Sequence, residues 1–204
     1  MSDAAGMGAV AAPFSALALM WWVMMMAMML PSAAPAILLY ARVRQARDNG
    51  PGLARSWIFL SGYVAVWLLF SVVAALAQRR LGGSMMLDNR YAEGALLIAA
   101  GAYQISPIKS ACVNLCRSPA QFISRHWRPG AAGAVRLGAL HGAYCVGCCW
   151  MLMALLFVGG VMNLWWVVAL AFLVALEKLV NGGQWLARAT GLALIAWGLA
   201  LLLA

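Results

Sequence analysis

The stretch HGAYCVGCCWMLM, beginning at His141, gathers one of the chain's two histidines, three of its five cysteines and two methionines. On a helix, residues three, four, seven and eight apart share a face. His141, Cys145 and Cys148 are spaced by four and three, so they form one stripe, with Cys149 at its shoulder. Cys112 and Cys116, spaced by four, share a face of their own. A third stretch, MWWVMMMAMMLPS from Met20, carries two methionine rows: Met20, Met24 and Met28, and beside them Met25 and Met29. Thiolate and thioether are soft ligands that favour Cu(I), while cysteine with histidine also suits Zn(II). A methionine row set against a cysteine cluster leans toward Cu(I). The same residues admit two other readings. Cys145-Val-Gly-Cys148 is a C-x-x-C, which with Cys112 and Cys116 as a shuttle pair would describe a membrane thiol–disulfide oxidoreductase. Methionine is also a flexible core filler and buried cysteine a small hydrophobe, so an accessory subunit with a sulfur-rich core is the third.

These residues sit in a chain built for lipid. Of its 204 residues, 66% are apolar and 9% charged, where a soluble domain has about half and about a quarter. The formal net charge of +9 comes from Lys and Arg between apolar runs, where topology and anionic lipid use them; nucleic acid is not the implied partner. Five cysteines cannot all pair internally. The first arginines follow the first apolar run, so that run reads as a retained anchor and not a cleaved signal.

A crossing needs roughly 20 apolar residues, and six runs qualify. They lie at about 14–40, 57–78, 92–116, 137–158, 162–180 and 184–204. The expected fold is all-α: a polytopic bundle of about six transmembrane helices, with residues 1–204 as one domain. Pro31 and Pro35 are expected to bend the first span, and Pro107 to kink the third. A tight turn, NGG, joins the last two. Basic segments set orientation. Arg42, Arg44, Arg47 and Arg55 follow the first span, and Arg117, Arg125, Arg128 and Arg136 follow the third. The link before the third span offsets Arg79, Arg80 and Arg90 with Asp88 and Glu93. The two more basic segments belong in the cytoplasm, which leaves both termini outside and places Trp165 and Trp166 at the outer edge. The segment from Arg117 is expected on the cytoplasmic interface, with Phe122 and Trp127 in lipid, the arginines outward and His126 solvated.

With this topology, depth can be compared at 1.5 Å per residue. Cys112, Cys116, His141 and Cys145 are expected near one level. Cys148 and Cys149 lie deeper, level with Met28 and Met29. Lys109, Glu177 and Gln104 are the intramembrane polar residues, and such groups are costly there. Glu177 has two candidate partners, Lys109 across helices and its neighbour Lys178 at the interface. Gly138 and Gly142 form a G-x-x-x-G that allows close helix approach.

Four blocks, WWVMMMAMMLPSAAP, GAYQISPIKSACVNLCRSP, HGAYCVGCCWMLMALLFVGGVMNLWW and LEKLV, occur in this order along nearly the whole chain. Together they resemble a bacterial family of predicted metal-binding integral membrane proteins. The resemblance implies a multi-pass protein of the bacterial inner membrane. The leading expectation is a Cu(I)-handling protein for transport, loading or sensing. Met24, Met25, Met28 and Met29 would receive the ion, and Cys148 and Cys149 would relay it. Cys112, Cys116, His141 and Cys145 would hold it. Its partners would be the bilayer and a metallochaperone or membrane complex. No nucleotide-binding motif, paired carboxylate or Ser-His-Asp order is present to make it a soluble-type enzyme.

Overall fold

The computed structural model describes residues 13–48, 52–80, 89–180 and 182–203, and among these every regular element is a helix. They are α1 (Phe14–Asp48), α2 (Gly52–Arg80), α3 (Arg90–Ile105), α4 (Pro107–Arg117), α5 (Pro119–His126), α6 (Gly130–Ala154), α7 (Leu156–Gly159), α8 (Leu164–Leu179) and α9 (Gly183–Leu203). Asp88, Asn181 of the NGG turn, the first twelve residues and Ala204 lie outside the described residues. α1 runs on through both Pro31 and Pro35 and passes the expected end at Tyr40.

The third expected span is two helices. α3 stops at Ile105, and α4 leaves it at 60°. Pro107 has no N–H to continue the ladder, and its ring drives the preceding residue out of the helical region. Ser106 accordingly takes φ −67° and ψ 147°. Its hydroxyl accepts from the Lys109 N–H at 3.2 Å, so the chain restarts as a capped helix with proline in its first turn. The other polar starts are made the same way. Asn89 caps α3 through Tyr91 N and Ala92 N, and Asn163 caps α8 through Trp166 N.

Four helices are long and apolar enough to cross a membrane: Phe14–Arg47, Ser56–Arg80, Gly130–Gly159 and Gly183–Leu203. The bent α3–α4 pair makes a fifth if it counts as one span. α8 has 16 residues, about 24 Å of helix against a hydrocarbon core of about 30 Å. The expected six is therefore not reached on length and composition.

The helices close into a ring: α1 packs on α2, α2 on α6, α6 on α3 and α4, α3 on α9, α9 on α8, and α8 back on α1. Glycine makes two of these seams. Gly62, Gly138 and Gly142 bring α2 and α6 together, and a methyl on Gly138 would overlap the Phe59 carbonyl. Gly94 and Gly101 face Gly198 and Gly191 in the α3–α9 seam. The G-x-x-x-G is therefore used for backbone contact. α5 departs from the interfacial expectation. Phe122 is buried, packed on His141 and Tyr144, and Trp127 stacks on Tyr40 under Arg47.

Gly138→Ala is expected to lower stability by about 1–3 kcal/mol, the range for overpacking a tight contact. Gly147→Ala should cost less, because the nearest atom to its new methyl is the Cys112 thiol at 3.1 Å, a side-chain end that can turn. Melting of the two purified variants in detergent compares them directly.

Candidate metal centre

α6 carries Cys145, Cys148 and Cys149 into the interior, where all three are closed to solvent. α1 meets them with Met29. The Cys149 Sγ stands 3.8 Å from the Met29 Sδ. Cys148 and Cys149 each donate their S–H to the Cys145 carbonyl at 3.0 Å, so these thiols rest on their own helix and can rotate away from it. Cys116, in the last turn of α4, reaches Cys148, which also lies against Cys145 and Cys149. The geometry suits a soft ion. With metal–sulfur bonds of about 2.3 Å, two sulfurs stand about 3.8 Å apart around a tetrahedral ion and about 4 Å apart around a trigonal one. All five cysteines are free.

Two residues that the sequence did not place at the site meet Cys145, and a third holds one of them. The Tyr63 hydroxyl is 3.3 Å from its sulfur. The Lys178 ammonium donates to the same sulfur at 3.1 Å and to the Ser32 hydroxyl at 3.4 Å. Lys178 was expected at the interface beside Glu177, yet it is 7% exposed. The missed signal was periodicity: Leu170, Val174 and Lys178 are spaced by four on α8, and all three are buried. A lysine continuing an apolar row points inward with it.

The expected meeting of Cys112, Cys116, His141 and Cys145 is not what the structure assembles. Cys116 joins Cys145 and Cys148. His141 instead sits among the rings of Phe122, Tyr63 and Phe59, at centroid distances of 5.5, 5.9 and 6.1 Å. Cys112 is half-buried and lies over Gly147. Among the described residues, no group of three or more His, Cys, Asp or Glu could hold a metal ion. The ready ligand pair is a thiol with a thioether. Of the methionines, Met25 and Met29 are fully buried and Met28 nearly so, while Met24 and Met20 are only half-buried. The row that lines the interior is thus Met25 and Met29, headed by Trp21. His126, expected to be solvated, is partly exposed and also engaged: its Nδ1 lies 3.0 Å from the Phe122 carbonyl, and its ring lies on that phenyl.

The sequence model of the PpoB2 family, described as copper chaperone, matches residues 18–201. The chain belongs to this family. No curated protein and no solved structure matches it. A copper family is the one the sulfur-rich interior leads to, and the matched residues contain every cysteine and all the buried methionines of α1.

In this copper-family chain a second buried polar system adjoins the sulfurs. The Lys109 ammonium pairs with Glu177 Oε2 at 2.5 Å, with both side chains almost wholly enclosed. Gln104 joins them: its amide donates to Glu177 Oε1 at 2.6 Å and to the Thr190 hydroxyl at 2.9 Å, and its oxygen accepts from Lys109. A cavity of about 200 Å³ opens beside this network at the helix break, lined by Ser106, Gln184 and Arg188 among others. Of the two candidate partners of Glu177, the structure therefore uses Lys109. Removing one member of a buried pair strands the other charge, which typically costs about 3–5 kcal/mol, whereas an apolar pair can be near neutral. Lys109→Met and Glu177→Leu are each expected to be destabilising by about that amount. The double variant should recover much of the loss. Thermal unfolding in detergent, followed by exposure of the buried thiols, measures all three.

Proposed function

We propose that this protein is a membrane-embedded copper chaperone that takes Cu(I) as cargo into the sulfur cluster between α1, α6 and α4. The 3.8 Å Cys149–Met29 pair carries the reading. Soft thiolate and thioether in a dry interior favour Cu(I) over hard or borderline ions. Zn(II) would call for a closed set of four ligands. In this reading Met25 and Met29 receive the ion. Cys149, Cys145 and Met29 seat it. Cys148 and Cys116 are the next thiols along, so the ion passes from α6 to α4 by exchanging one sulfur at a time. Each thiol that binds gives up its proton.

The apolar helices favour a bilayer as the setting, the bacterial inner membrane by the resemblance. The arginine-rich segments after α1 and around α5 would face the cytoplasm, with both termini outside, an orientation that counts the bent α3–α4 pair and the short α8 each as a crossing. A metallochaperone or a copper-requiring membrane complex would be the partner.

The test is copper retention by the protein purified under reducing conditions and loaded with Cu(I). Wild type is expected to keep about one ion per chain against a competing chelator. Cys149→Ser and Met29→Leu should each weaken retention at least about tenfold, a difference of about 1.4 kcal/mol. Met24→Leu should leave it unchanged. Equal copper in wild type, Cys149→Ser and Cys145→Ser would sink the reading.

A further inference from the structure

Lys178 places a fixed positive charge against the sulfur cluster. Its ammonium donates to the Cys145 sulfur at 3.1 Å and to Ser32 at 3.4 Å, and it also faces Cys116, Cys148 and Cys149. Its sequence neighbour Glu177 is committed to Lys109. Besides these thiols and the Ser32 hydroxyl, Lys178 faces the Tyr63 hydroxyl and the His141 ring. None of these described neighbours is a carboxylate, so the thiols are what can become its counter-ion.

Resting on the Cu(I) reading above, we infer that Lys178 sets the charge of the metal this site accepts, selecting a monovalent ion over a divalent one. The charge count is short. Two thiols lose two protons to solvent and become two thiolates. With Cu(I) the complex carries −1, which Lys178 brings to zero. With Zn(II) or another divalent ion on the same two thiolates the complex is neutral, and Lys178 stays as uncompensated as it is beside the protonated thiols of the metal-free protein. The monovalent complex alone gains the attraction of the Lys178 charge, which is large in an apolar interior. A third thiolate would rebalance the divalent complex. However, no three Cys, His, Asp or Glu among the described residues are arranged to hold a metal. Softness of ligand and sign of charge are therefore two separate filters, and Lys178 supplies the second without touching the ion.

The metal-free protein is titrated with Cu(I) alone and with Zn(II) alone, each against a chelator of known affinity, and the ratio of the two dissociation constants is compared between variants. Removing a unit charge some 4 Å from the complex is expected to shift that ratio toward Zn(II) by at least about tenfold in Lys178→Leu. Lys178→Arg keeps the charge and should hold the ratio within about threefold of wild type. Lys178→Gln, which keeps a polar donor without the charge, should follow Lys178→Leu, and it serves where Lys178→Leu does not fold. A wild type that binds Cu(I), with an unchanged ratio in Lys178→Leu or Lys178→Gln, would overturn the selectivity role and leave the copper reading standing. A wild type that binds no Cu(I) would overturn both.

Discussion

The Lys109–Glu177 contact decides where the clustered sulfurs stand. Charges inside so apolar a chain must be paired, and this pair joins the first turn of α4 to the last turns of α8 at 2.5 Å. α4 is a half-helix cut loose from α3 by the break at Ser106, and it needs an anchor of its own. With Lys109 held, the rest of α4 runs toward α6 and delivers Cys116 to Cys148. The same contact fixes the rotation of α8. Once Glu177 faces α3, α4 and α9, the next residue is turned by about 100°, and Lys178 faces α1 and α6. One helical step therefore separates two buried polar systems, and the ion pair of one aims the cation of the other.

The glycine seams supply the walls against which this anchoring works. Gly138 and Gly142 let α6 press on the backbone of α2 around Phe59 and Tyr63, which brings the Tyr63 hydroxyl to Cys145. On the other flank the Tyr103 hydroxyl donates to the Gly147 carbonyl, and the small side of α6 at Gly147 leaves room for Cys112. α6 is thus held on both flanks, and its three cysteines keep a fixed register against Met29. Close backbone approach, not side-chain bulk, sets that register, because small residues let apolar helices pack backbone to backbone.

Much of the framework was legible in the sequence, because apolar runs bounded by arginines mark helices whatever their packing. The elements α1, α2, α6 and α9 follow from that signal. The sulfur stripe on α6 also follows, since Cys145 and Cys148 share a face by spacing alone. What went astray depended on one angle. A continuous third span would carry Cys112 and Cys116 down beside His141. The 60° bend at Ser106 moves the meeting point to Cys148, two turns along α6. Pro107 announced a break, but nothing local to it sets the direction of the restart, which the distant Glu177 determines. His141 then falls to the aromatic rings, because Phe122 on α5 is buried against it. That burial too depends on where α4 ends and was not written in the eight residues of α5 themselves.

A sulfur cluster of this kind differs in kind from a closed metal cage. Four fixed ligands hold an ion tightly and let it go slowly, which suits a structural site. Cargo needs ligands that can be exchanged while the ion is never stripped bare. Cys148 and Cys149 rest on the Cys145 carbonyl, a weak hydrogen bond that each can give up for a metal–sulfur bond at little cost. Met29 is neutral and can enter or leave without altering charge. Any two of the clustered thiolates with Cu(I) give the same charge of −1, and Lys178 faces all four thiols involved. The electrostatic energy of the complex is therefore similar whichever pair of sulfurs holds the ion. In the proposed Cu(I) reading, a cation placed centrally among exchangeable ligands would flatten the path along them, and a buried site would thereby both discriminate and release.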